Sequence, residues 1–185
     1  MWLFLFTELI LFGGMFILYA VYRFKHPDEF RLAASELDVY IGTINTMILL
    51  TSSMTVAMSL TAIARGKKNL ALLLIGITTV LGFVFLVNKY FEWMHKISHG
   101  IYPHSPTLDS LPPGEILYFG LYYVMTGLHG LHVIIGMGVL AVMFVYVARG
   151  SINRTSYVRL EDGALYWHLV DIIWIFLFPL FYLIQ

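Results

Sequence analysis

The sequence predicts an all-α, polytopic membrane protein: a bundle of five transmembrane helices forming one membrane domain over residues 1–185. Three observations lead there. Of the 185 residues, 59% are hydrophobic and only 12% charged, with a mean hydropathy of +0.81, far from the balance of a water-soluble domain. Five apolar runs reach the length of about 20 residues that a bilayer core demands, at 2–22, 39–64, 70–94, 116–148 and 164–184. These runs lack the in-out alternation of barrel strands, and the connections between them hold 16, 5, 21 and 15 residues, too few for a soluble domain.

Composition also excludes several chemistries. The 11 basic and 11 acidic residues balance to zero, and no basic stripe marks a nucleic-acid partner. The absence of cysteine rules out a disulfide framework, a thiolate copper centre, an iron-sulfur cluster and a c-type haem attachment, which all need sulfur. Redox chemistry nearby therefore belongs to another chain, and no metal is expected in this one.

The first run begins without a basic leader region and without a small-residue cleavage pattern, so it reads as a retained span and not a signal peptide. It carries Thr7 and Glu8 among leucines and phenylalanines. Glu8 is expected either as a buried, protonatable carboxyl or as a group high enough to reach headgroup water. The second run contains Asn45, Thr46, Thr51, Ser52, Ser53 and Thr55. Small polar side chains let helix backbones approach and hydrogen-bond across to a neighbour; helix packing is the expected use, a hydroxyl-lined proton path the alternative.

Near the end of the third run come Asn88, Lys89, Glu92, His95 and His99. Lys89 and Glu92, three apart, can pair, which is how opposite charges are tolerated at membrane depth. Glu92, His95 and His99 share a face at metal-ligand spacing, but a di-iron bundle needs a second Glu-x-x-His and two further glutamates, which the sequence lacks. The connection to the next span holds Pro103, His104, Pro106, Pro112 and Pro113, so an irregular loop is expected, with the last two prolines suiting a helix start.

The fourth run, at 33 residues, exceeds a bilayer core and is expected to tilt or to extend into an aqueous layer. Thr126, Gly127, Gly130 and Gly136 give it a small-residue packing face, and His129 and His132 lie three apart within it. Two buried histidines raise the idea of a haem shared with His168 of the fifth run; the alternative is that each neutral ring is satisfied by a hydroxyl or carboxylate on a neighbouring helix. In the fifth run, His168 and Asp171 are three apart beside Trp167 and Trp174, so each can serve as the other's hydrogen-bond partner where water is absent. They are expected as a functional pair or as a packing anchor. Glu8, Lys89, His132, His168 and Asp171 could also line the path of a small transporter, although no internal repeat supports one.

Orientation follows from short-loop basic residues. Arg65, Lys67, Lys68, Arg149, Arg154 and Arg159 lie on the amino-terminal side, against Arg23, Lys25, Arg31 and Lys96 on the other. Six against four predicts a cytoplasmic amino terminus and an external carboxyl terminus.

Five motifs then occur in one order. Thr7-Glu8, Asn45-Thr46 with Leu50-Thr51-Ser52-Ser53, Lys89 with Glu92-Trp93, Thr126-Gly127 with His129-Gly130 and His132, and Tyr166-Trp167-His168 with Val170-Asp171 and Trp174 together resemble subunit III of the haem-copper oxidases. The similarity covers nearly the whole chain and fits the shorter, five-helix bacterial type, again with a cytoplasmic amino terminus. The resemblance implies a non-redox accessory subunit of a proton-pumping terminal oxidase that reduces O2 to water in aerobic respiration, in the bacterial cytoplasmic membrane. Haem and copper would reside in the catalytic subunit I and the copper subunit II, with further small subunits or a supercomplex around them. The accessory subunit would stabilise the catalytic one, hold phospholipid and support proton uptake, and Glu8 would be the family's carbodiimide-reactive carboxyl. Asn88-Lys89 departs from the family's usual glutamine and uncharged neighbour, which keeps an accessory role in a nitric oxide reductase-type complex as the alternative.

Overall fold

The computed structural model describes residues 2–103 and 105–184, so His104 of the proline-rich connection lies outside the described residues. Among the described residues all regular structure is helical: α1 (Trp2–Lys25), α2 (Pro27–Ser35), α3 (Val39–Ala64), α4 (Lys68–Ser98), α5 (Pro106–Asp109), α6 (Pro113–Ala148) and α7 (Val158–Phe178), followed by a π-helical turn at Pro179–Leu183. Five of these helices are long and apolar enough to cross a membrane: α1, α3, α4, α6 and α7 with its π turn.

The boundaries follow from local chemistry. α1 continues past Tyr22 to Lys25, where Arg23 and Lys25 favour the negative end of the helix dipole, and stops before Pro27. Pro27 opens α2, whose first turn carries Asp28 and Glu29 and whose Phe30, Ala33 and Ala34, at helical spacing, are buried. Asp38 then caps α3, its Oδ1 accepting from the Tyr40 amide at 2.8 Å. α3 and α4 end alike. The Gly66 amide donates to Ile63 and the Lys67 amide to Ala62, and likewise Gly100 to Ile97 and Ile101 to Lys96, with φ of 74° and 77° at the two glycines. This double bond at a helix end needs a left-handed residue, which only glycine supplies without strain.

Two of the expected loops thus contain helix. α2 occupies the connection before the second span. In the longer connection Ser105 caps the four-residue α5, its Oγ accepting from the Leu108 amide at 3.0 Å. Helices α4, α6 and α7 also run beyond the apolar runs, to 68–98, 113–148 and 158–178. Charged and polar residues such as Lys68, Asn69, Lys96, Glu115, Arg159, Glu161 and Asp162 dilute the added stretches, so hydropathy alone stops short of them. At the carboxyl end, Pro179 offers no N–H, and the chain widens to an i to i+5 turn closed by the Ile184 amide on the Pro179 carbonyl at 3.2 Å.

The chain folds as two compact units: residues 1–43, 88–129 and 173–185 form the first, and 44–87 with 130–172 the second. In the first, Tyr19, Phe30, Tyr118 and Phe181 meet edge to face, with ring centres 5.2–5.5 Å apart along Phe181–Tyr19–Phe30–Tyr118. Tyr19 donates to the Leu180 carbonyl at 2.6 Å and Tyr118 to the Phe181 carbonyl at 2.7 Å. These carbonyls belong to the last helical turn, which has no intrahelical donors left to offer, so two buried phenols do the capping where lipid cannot. In the second unit, Thr55 and Thr78 join α3 to α4 through hydroxyls 2.8 Å apart, and Lys68 caps α6 by donating to the Ala148 carbonyl at 2.7 Å.

Candidate functional site

In the first unit, Lys89 and Glu92 stand one turn apart on α4, 5% and 7% exposed. The Lys89 ammonium lies 3.1 Å from each Glu92 carboxylate oxygen, 3.0 Å from the Tyr122 hydroxyl of α6 and 2.5 Å from the Tyr182 hydroxyl of the π turn. Both hydroxyls donate to Glu92 Oε1, each at 2.5 Å. The rings of Tyr122, Tyr182 and Trp174 surround the same ammonium at 4.8, 5.2 and 5.3 Å. A buried ion pair is tolerable only when its remaining donors and acceptors are satisfied, and here they are. The arrangement is a lock that fastens α4, α6 and the carboxyl-terminal turn together.

In the second unit, Trp167 of α7 fills a slot made by glycines. A Cβ added at Gly82 of α4 would lie 2.6 Å from its ring, and one at Gly136 of α6 would lie 2.9 Å away. Its indole N–H donates to Ser52 Oγ of α3 at 3.0 Å, so one side chain binds four helices. Next along, His168 Nδ1 lies 2.6 Å from Ser53 Oγ. The bond expected between His168 and Asp171 is not formed. His168, half-buried, turns to the α3 hydroxyl, while Asp171, 2% exposed, has among the described residues only the Ser53 hydroxyl beside its carboxyl group. The Ser53 hydroxyl that faces it is engaged with His168.

This geometry orders two substitutions. Ser53→Ala strips the partner from His168 and is expected to cost about 1 kcal/mol of assembly. Asp171→Asn leaves the His168–Ser53 bond in place and should cost less. The yield of folded chain after extraction from membranes measures both; a larger loss for Asp171→Asn than for Ser53→Ala would overturn the assignment.

The other candidate residues divide between the units. Glu8 is half-buried on α1, beside Thr7, whose hydroxyl donates to the Phe4 carbonyl at 2.7 Å. Asn45 is fully buried and Thr46 half-buried, whereas Thr51 is exposed and spends its hydroxyl on the Met47 carbonyl at 2.7 Å. Thr126 donates back to the Tyr122 carbonyl at 2.5 Å. Gly127 faces the Trp93 ring, and Gly130 stands opposite Leu86, where a Cβ would find ordinary contact at 3.9 Å. His129 is fully buried against the Trp174 ring, centres 5.2 Å apart. The His132 carbonyl accepts from Tyr166 at 3.3 Å. His129 packs on an indole, His168 bonds a serine through Nδ1, and among the described residues no group of three or more histidines, aspartates or glutamates is placed to hold an ion. Sequence reasoning missed Tyr122 and Tyr182 as partners of the ion pair and Gly82 as a wall of the tryptophan slot. A signal for the phenols existed, since a buried Lys-Glu pair still needs donors for the second carboxylate lone pairs.

Comparison with known proteins agrees with the resemblance. Residues 1–185 match the family described as cytochrome c oxidase subunit III. The chain is 34% identical over 184 residues to cytochrome c oxidase subunit 3 of Synechocystis sp., covering 98% of this chain and 73% of that protein. It is 29% identical over 185 residues to the probable quinol oxidase subunit 3 of Staphylococcus haemolyticus, covering 99% and 86%. A third relative, haem-copper oxidase subunit I+III of Aeropyrum pernix, is 32% identical over 190 residues, covering all of this chain and 22% of that protein. With a whole-length match, five apolar spans and the motif residues built into interhelical locks, the chain belongs to the cytochrome c oxidase subunit III family.

Proposed function

We propose that this chain is the accessory subunit of a proton-pumping haem-copper terminal oxidase reducing O2 to water, seated against the catalytic subunit I and the copper subunit II in a bacterial cytoplasmic membrane. The observation that carries the reading is the family match over residues 1–185. The name of the Aeropyrum relative joins subunits I and III in one chain, which supports a one-to-one seat on the catalytic subunit. The chain acts as one membrane domain, amino terminus cytoplasmic and carboxyl terminus external, and contributes rigidity, bound phospholipid and support for proton uptake. Haem and copper reside in the partners.

The closed Lys89–Glu92 network supports a holding role, because its polar groups are spent on one another. The test is purification of the tagged chain from host membranes. A haem-bearing catalytic subunit should accompany it one to one, with a Soret band, while the chain expressed without its partners should be colourless. A stoichiometric Soret band in the lone chain, or a tagged chain arriving without haem protein, would overturn the proposal.

A further inference from the structure

We infer that His95 and His99 form a surface site for a divalent transition-metal ion, one that takes Ni2+ and Cu2+ in preference to Zn2+. Both residues are exposed at the end of α4, and their ring centres are 4.5 Å apart with planes at 57°. His99 follows the last helical residue, its amide donating to the Lys96 carbonyl at 3.1 Å in a tighter 3₁₀-type turn that keeps its ring beside that of His95. The four-residue spacing is the one that lets two histidines on a helix face share one ion.

The tautomer of His99 is set by the backbone. Its Nδ1 lies 2.8 Å from the His95 carbonyl oxygen, which can only accept, so Nδ1 carries the proton and the Nε2 lone pair is left for a metal. A backbone carbonyl in this position is the usual outer partner of a metal-binding imidazole. Two imidazoles with centres 4.5 Å apart suit neighbouring positions on one ion, and divalent copper and nickel accept such a nitrogen pair in tetragonal coordination with water in the remaining positions.

The surrounding charges do not oppose an ion. Lys96, between the two histidines in sequence, is 7% exposed and turned to Glu36, donating to its carbonyl at 2.5 Å and lying 3.6 Å from its Oε2. Glu92, the third member of this face in the sequence, is held by Lys89 and two tyrosines, so water completes the coordination. The site is exchangeable, distinct from any resident cofactor, and would clamp the last turn of α4 just before Gly100.

The experiment uses the intact, untagged oxidase complex in detergent, titrated calorimetrically with NiCl2 and then with ZnCl2. One Ni2+ per chain should bind, with Zn2+ weaker. His95→Gln and His99→Gln should each weaken Ni2+ binding tenfold or more, the double variant should abolish it, and oxygen consumption and the ratio of this chain to haem should stay at wild-type values. Unchanged Ni2+ affinity in both single variants would overturn the site, as would an equal loss in the remote control His26→Gln. Tighter binding of Zn2+ than of Ni2+ would overturn the geometry.

Discussion

Lys89→Met is expected to loosen the carboxyl-terminal turn so far that much of this chain is lost from the purified oxidase. The substitution removes the ammonium and leaves the Glu92 carboxylate, 7% exposed, without its counter-ion at membrane depth. Breaking a buried pair from one side costs about 3–5 kcal/mol, because the remaining charge is uncompensated. Tyr122 and Tyr182 still donate to Glu92 and soften the loss, but two neutral hydroxyls do not replace an ammonium. The double substitution Lys89→Met with Glu92→Leu should do better than the single one. It removes both charges and leaves only two phenols to find new acceptors, at about 1–3 kcal/mol each. The ratio of this chain to haem after detergent extraction, with the temperature at which the chain dissociates, measures the difference. A single variant that assembles as well as wild type would show that the pair is not a lock, and a double variant worse than the single would show that Glu92 has a role of its own.

The ion pair also shows what sequence reading reaches. Lys89 and Glu92 are three apart on one helix, so their pairing follows from helical geometry, as do the five spans from their apolar length. Tyr122 and Tyr182 come from 33 and 93 residues away, and nothing local announces them. His168 and Asp171 show the opposite error. Their spacing permits a bond, but Ser53, 115 residues from His168, supplies a closer partner on α3, and tertiary geometry wins. The short helices were harder still. α2 needed the Phe30, Ala33 and Ala34 spacing to be weighed in a stretch too polar to look like a span, and α5 is one capped turn. Glycine positions were legible as packing residues, but which ring they admit is a property of the folded unit alone.

Gly82→Ala is expected to destabilise the second unit, and Trp167→Phe to rescue it. The added methyl would sit 2.6 Å from Trp167 Cη2 and 3.2 Å from Cζ2, both on the rigid outer ring of an indole that is fully buried. A side chain with two rotatable bonds, gripped from Gly136 as well, has little room to retreat, so overpacking of about 1–3 kcal/mol follows. Trp167→Phe alone removes the N–H bond to Ser52 and leaves a void, and should cost about 3 kcal/mol or somewhat less. In the double variant the smaller ring vacates the volume the methyl needs, so the two costs should not add. The cycle should return a favourable interaction of about 1 kcal/mol or more between the sites. Gly76→Ala, on the same helix, is the control, since an added Cβ there meets nothing within 4 Å and alanine favours the helix. Dissociation temperature of the chain from the complex reads all four. Simple additivity of Gly82→Ala and Trp167→Phe would show that the glycine is not there to admit the tryptophan. A loss at Gly76→Ala equal to that at Gly82→Ala would mean that this helix is intolerant of substitution in general.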